Sequence, residues 1–198
     1  MEDDCDATLG LEEEDGKIML YAACEVDRRT QNSPAFIRKI DGTTGEMIWE
    51  YSLECYYDAN VNGGVLSSPI VGKNEIKDLV IYNIAKTGKT TLSGKLVALN
   101  KFDGKIAWEK DLNMYSWSSP VAIYDENGKA NIIFCDASGR VYLLDGKTGE
   151  TKTSLNTGGG NIEGSPAIYN DIMVIGTRGK KVYGIKILLD LLIIIIGY

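Results

Sequence analysis

The chain has 198 residues, 44% hydrophobic and 25% charged, with 22 glycines and only 4 prolines, the make-up of a folded soluble protein. Its formal net charge of -7 argues against nucleic-acid binding, which needs a clustered basic surface. There is no histidine, so imidazole triads, histidine zinc sites and the usual neutral-pH general base are excluded together.

In chain order, the start "MEDDCDATLGLEEED" is acidic where a signal peptide needs a basic start and an apolar run, so no signal peptide is read there. A first strand is expected at 6–11 ("DATLGL") and a second at 16–26 ("GKIMLYAACEV"). A hairpin follows, "AFIRKI" turning through "DGTTGE" into "EMIWEYSL". Its turn is headed by Asp41 and closed by Gly45. The same phrase recurs with Asn100 and Gly104, and again with Asp145 and Gly149. Asp or Asn bonds the local amides of such a turn, and glycine takes a positive φ without a Cβ clash.

A second signal recurs out of phase with the first. "SSPIVG" (67–72), "SSPVAI" (118–123) and "GSPAIY" (164–169) place three of the four prolines at one slot, the entry to an apolar strand. Between each of these and the next hairpin lies one more strand: "DLVIYNIA", "NIIFCDA" and "IMVIGT". Each repeat therefore holds four strands, A to D, spaced 51 residues from Ser68 to Ser119 and 46 from Ser119 to Ser165. Four strands in that length is the period of a propeller blade. The fold class is all-β: a partial β-propeller of four-stranded antiparallel blades at 6–53, 67–112, 118–155 and 164–187. The fourth is expected to be partial, since Lys186 replaces the turn acid and no turn glycine follows.

Residues 188–198 form an apolar tail. It is too short to span a bilayer as a helix, and whether it supplies the missing strand is open at this point. In strand D, Met47, Trp49, Tyr51 and Leu53 alternate onto one face, as do Ile106, Trp108 and Leu112. Trp49 and Trp108 are read as anchors that pack one blade on the next, with Thr153 a weaker substitute in the third repeat. Cys5, Cys24, Cys55 and Cys135 are scattered, without C-x-x-C spacing, and read as small apolar residues.

The phrases "LNKFDGKIAW" and "KIDGTTGEMIW" resemble the tryptophan-docking repeat of the quinoprotein, or PQQ-like, β-propellers over about residues 6–187. That superfamily includes PQQ-dependent alcohol dehydrogenases and the propeller lipoprotein of the outer-membrane assembly machine. Membership of the dehydrogenase branch would imply PQQ, calcium with oxygen ligands, and a vicinal Cys-Cys pair that this chain lacks. No catalytic motif maps, so the expectation is a non-catalytic scaffold with no cofactor and no metal. The alternative is a fragment of a PQQ- and calcium-dependent dehydrogenase. The resemblance implies a place in the periplasm or at the cell surface.

In such blades the B–C and D–A connections share one face, and here they are the long ones. They hold Arg28, Tyr56, Tyr57, Asp58, Asn60, Tyr115, Trp117, Asn161 and Glu163, the candidate binding residues. Tyr57 and Trp117 are the expected anchors, with Asp58, Asn60 and Asn161 as polar contacts. The competing reading is that these loops only carry aromatics inward to pack between blades. Candidate partners are a protein or small ligand on this face, and the remaining blades of a longer chain or a second copy. No nucleic-acid partner and no transmembrane span are expected.

Overall fold

The computed structural model describes residues 3–27, 31–88, 92–188 and 191–197. Among these, regular structure is antiparallel β-sheet throughout, apart from one 3-10 turn at Asn74–Ile76. The chain divides into two compact units, Met1–Lys73 with Lys77–Tyr115, and Asn74–Ile76 with Ser116–Tyr198.

The first unit contains β1 (Gly10–Glu14), β2 (Lys17–Ala23), β3 (Glu25–Val26), β4 (Ser33–Asp41) and β5 (Met47–Cys55), then β6 (Gly63–Gly64), β7 (Ile70–Val71), β8 (Leu79–Ala85), β9 (Gly94–Asn100) and β10 (Ile106–Leu112). One sheet runs β1-β2-β4-β5. The next runs β10-β9-β8, with β7 paired to the start of β8 and β6 to its end, and β3 paired in turn to β6. The second unit contains β11 (Val121–Tyr124), β12 (Ala130–Cys135), β13 (Arg140–Asp145) and β14 (Thr151–Asn156), then β15 (Ala167–Tyr169), β16 (Ile172–Gly176), β17 (Val182–Leu188) and β18 (Leu191–Gly197). Its sheets run β11-β12-β13-β14 and β15-β16-β17-β18.

These are the four-stranded antiparallel blades that the repeats predict, with two corrections. The first strand lies at Gly10–Glu14, not 6–11, because Asp15 and Gly16 both take positive φ (51° and 77°) in a two-residue turn between Glu14 and Lys17. Such mirror-image turns match strand twist and favour Asp-Gly. The fourth sheet is not partial: the apolar tail supplies β18, paired along β17.

The three hairpin turns have one geometry. Gly45, Gly104 and Gly149 sit at φ 75°, 71° and 72°. Their amides donate to the carbonyls of Asp41, Asn100 and Asp145 at 2.8, 2.9 and 2.9 Å. The Oδ1 atoms of those residues accept amides two residues on, from Thr43, Phe102 and Lys147. Each strand D then starts with a bulge: Ile40 pairs with Met47 but Lys39 with Trp49, and Leu144 with Thr151 but Leu143 with Thr153. In β10 the same shift falls between Ile106 and Trp108. The extra residue breaks strict alternation. Met47 and Ile106, expected beside the tryptophans, are 53% and 47% exposed, while Trp49 and Trp108 are buried.

In the first unit the core joins both sheets, with Tyr21, Ile37, Trp49, Val80, Tyr82 and Val97 packed together. Trp49 donates its Nε1–H to the Lys101 carbonyl at 2.9 Å. Its ring lies against Gly104, where a Cβ would come within 2.8 Å of Cδ2. Beside the indole sits a set of ionic contacts. The Nζ of Lys39 donates to Glu14 at 2.5 Å, and that of Lys101 to Glu12 at 2.5 Å and to the Gly72 carbonyl at 3.0 Å. Tyr21 donates its hydroxyl to Glu12 at 2.5 Å. Both ammonium groups are buried, and each has a carboxylate and a carbonyl to replace lost water. The second unit has its own core around Ile133, Leu143, Met173, Tyr183 and Ile185.

Two glycine substitutions separate these effects. Gly45 faces open space, so Gly45→Ala adds only the left-handed backbone penalty, about 1–2 kcal/mol. Gly104→Ala adds the same penalty plus a collision with the Trp49 ring, so its loss of unfolding free energy in urea should exceed that of Gly45→Ala by about 1–3 kcal/mol.

Candidate functional site

The loop after β5 is fixed from beneath by one lysine. Lys86 follows β8 at φ 67° and is fully buried. Its amide donates to the Ser93 carbonyl at 2.7 Å, and its own carbonyl accepts the Tyr56 amide at 2.8 Å. Its Nζ donates to Asp58 Oδ2 at 2.7 Å. Asp58 Oδ1 accepts the Asn60 amide at 2.9 Å, and the Tyr57 amide donates to Asn32 Oδ1 at 3.0 Å. The Lys86 ammonium, and then the Asn60 amide, hold the Asp58 carboxyl below the usual carboxylate range. A loop tied down at three points and braced within by Asp58 keeps little freedom to lose when a partner docks.

The same loop reaches an acidic cluster. Asn62 donates its Nδ2 to Glu25 at 3.1 Å and to Asp27 at 3.3 Å. Glu25 is buried, and burial pushes its carboxyl up to about 7, opposed by the Asn62 bond and reinforced by Asp6 and Asp27. Oxygens of Asp4, Asp6 and Glu25 lie within 4.8 Å of one another, as do those of Asp3, Asp4 and Asp27. Carboxylate oxygens are the donors that calcium takes, but Glu25 would first have to give up its proton. Burial and the neighbouring acids favour the protonated form of Glu25, and the Asn62 amide offsets part of that effect.

The thiols are poor nucleophiles. Burial raises Cys55 to about 11 and Cys135 to about 12, and raises Cys5 and Cys24 as well. All four are free, and neutral thiols neither attack nor ligate readily.

The expected binding residues are brought together in part. Tyr56, Tyr57 and Asp58 are half-buried and Asn60 is exposed, all on the loop pinned by Lys86. Tyr115 is a correction: it is 7% exposed, with its Cα packed where Gly94 leaves no room for a side chain, so it belongs to the interior of the first unit. In the second unit Trp117 and Asn161 are half-buried. The Asn161 carbonyl accepts the Arg178 amide at 2.9 Å, and Glu163 pairs with the Arg178 guanidinium at 3.2 Å. Arg28 lies outside the described residues. Sequence reasoning missed Lys86, Asn32 and Glu25. The one available signal is a lysine directly after the apolar run "DLVIYNIA".

The comparisons with known proteins bear on the family and the fold. Residues 35–188 match the family described as outer membrane protein assembly factor BamB. The structure of BamB from Moraxella catarrhalis superposes with a TM-score of 0.64 at 15% identity, covering 99% of this chain and 53% of that one. The computationally designed Ika4 protein superposes with a TM-score of 0.58 at 12% identity, covering 95% of this chain and 94% of that one. At these identities the likeness is one of fold. The beta-alanine-activating enzyme of Danio rerio is 29% identical over 98 residues, which is 48% of this chain and 8% of that protein. The chain thus spans about half of the BamB structure and a small part of the enzyme.

The buried pair gives an asymmetric prediction. Asp58→Asn leaves the Lys86 charge buried without a counter-ion and should cost about 3–5 kcal/mol in chemical denaturation. Lys86→Met leaves only a partly solvated carboxylate and should cost less. Glu25 gives a pH signature. Its folded-state value of about 7 lies above the ordinary 4.5, so the native state holds the proton more tightly. That stabilisation is full below about pH 4.5 and is lost as pH rises through about 7. Denaturation midpoints should therefore fall over this range, and the fall should flatten in Glu25→Gln.

Proposed function

The chain belongs to the family of the outer membrane protein assembly factor BamB, and from that premise we propose that it is a non-catalytic scaffold that binds a protein or ligand through its long-loop face. The observation that supports this most directly is the loop of Tyr56–Asn62. Lys86 and Asn32 hold its backbone while Tyr57 stays half-exposed and Asn60 fully so. An aromatic on a rigid, polar-rimmed loop is the usual form of an interface anchor. The raised thiols favour recognition over covalent chemistry. The reading needs neither PQQ nor calcium, and it places the protein outside the cytoplasm, as the family name suggests for its namesake. No helix among the described residues is long and apolar enough to cross a membrane.

The test is a photo-crosslinking amino acid placed at Asn60 and, as control, at Phe102, which is 83% exposed on the opposite, tight-turn side of the same unit. Discrete adducts of the full-length protein in cells should form from Asn60, and Tyr57→Ala should lower their yield about tenfold, the loss of one anchor of about 1.4 kcal/mol. Equal labelling from both positions, or none from Asn60, overturns the reading. Adding PQQ with calcium should produce no saturable spectral change in the purified protein.

A further inference from the structure

The groove beside the docked indole recurs in the second unit with different chemistry. The pairing registers align the two. In the first sheet Glu12 pairs with Met19 and Lys39 with Trp49; in the third, Ile123 pairs with Asn131 and Leu143 with Thr153. Asp125 stands two residues beyond Ile123, as Glu14 stands two beyond Glu12. In the adjoining sheets the Lys101 amide donates to the Asp78 carbonyl at 2.8 Å and the Ile187 amide to the Asp171 carbonyl at 2.7 Å, so Ile187 holds the place of Lys101. Lys39 and Lys101 of the first groove are thus replaced by the apolar Leu143 and Ile187, while a carboxylate remains where Glu14 stood.

The result is a cavity of about 310 Å³ lined by Ile123, Asp125, Asn131, Leu143, Ile187 and Leu188, with Tyr124, Asn170 and Asp171 completing the rim. That volume is at the lower end of the range for small-molecule sites. Asn131 is 5% exposed, and its Oδ1 has no hydrogen-bond partner. Asn131 lines the cavity, so a donor on a bound ligand is the group that would satisfy this oxygen. Asp125 uses Oδ1 for the amides of Asn127 and Lys129, both at 2.9 Å, which leaves Oδ2 available. On the rim, Asp171 pairs with Lys186 at 3.3 Å.

We infer that this cavity binds a small primary organic amine, an alkyl- or arylalkylammonium ion. Its ammonium supplies the donors that Lys39 supplies in the first sheet, to the Asn131 amide oxygen and the Asp125 carboxylate. Its apolar body covers Ile123, Leu143 and Ile187. An apolar ligand without a donor leaves Asn131 unsatisfied, and an anion meets Asp125 and Asp171. This site uses none of the residues of the Tyr56–Asn62 loop, so the two proposals stand or fall separately.

Calorimetric titration of the full chain with phenethylammonium tests the inference, with 2-phenylethanol as the neutral control. The amine should bind one to one with a Kd of about 1 mM or tighter, and the alcohol about tenfold or more weakly. Asn131→Met installs the residue found at the matching place in the first sheet and should weaken amine binding about tenfold without lowering the melting temperature. Asp125→Asn keeps the turn acceptor and should weaken the amine by a similar factor while leaving the alcohol unchanged. Leu143→Lys should occupy the groove from within and abolish binding; if it does not fold, Asn131→Met and Asp125→Asn decide. No saturable amine binding, equal binding of the alcohol, or undiminished binding by Asn131→Met overturns the proposal.

Discussion

The first unit depends on a single meeting of ring and backbone: the indole of Trp49 laid on the turn that ends in Gly104, with its N–H given to the Lys101 carbonyl. Each part requires the others. The indole can pack this closely only where the turn has no Cβ, and the left-handed backbone of that turn already favours the one residue that lacks it. The same carbonyl accepts the Lys39 ammonium, and Asn100 braces its turn by accepting the Phe102 amide. The Lys101 side chain leaves from that point to reach Glu12, so one residue serves the packing with its backbone and the ionic contacts with its side chain. A change at any of these positions is felt at the others, which is the situation in which substitution energies stop adding.

The sequence made the hairpins legible because their determinants are local. An acid or asparagine at the head of a turn and a glycine at its end act within five residues, and three copies made the pattern plain. The Ser-Pro entries were legible for the same reason. The bulge at each strand D was not, because nothing in "GEMIWE" distinguishes a residue that pairs from one that is skipped, and the ladder of the neighbouring strand decides. The acidic run before Asp15-Gly16 concealed a strand because charge suggested a loop, whereas Glu14 and Glu12 pair with Lys39 of β4 and with Lys101 just after β9.

The candidate site was legible in its location and not in its supports. Long polar loops announce a face, and Tyr57, Asp58 and Asn60 do lie there. Tyr115 went inward, and Lys86, which sequence reasoning had not singled out, is fully buried and became the post on which the loop rests. Both follow from contacts distant in sequence, which no local pattern encodes. The two grooves make a related point about function. One backbone geometry holds a cluster of charges in one pair of sheets and an apolar cavity in another, so what a repeat can bind is decided by a few side chains and not by its fold.

The short strands β3 and β6 carry a consequence for how such proteins can be rearranged. Glu25 and Val26 leave the first sheet to pair with Gly64 and Gly63, and Gly64 goes on to pair with Ala85 of the second. A Cβ at Gly64 would meet the Glu25 backbone at 2.8 Å, so the splice tolerates only glycine. The repeat written in the sequence is therefore not the smallest transferable part. A recombinant that cuts between these two blades severs a ladder and exposes backbone on both sides of the cut. Insertion, duplication or grafting should respect the pair as one cassette, from which Asn74–Ile76 alone is grouped with the second unit.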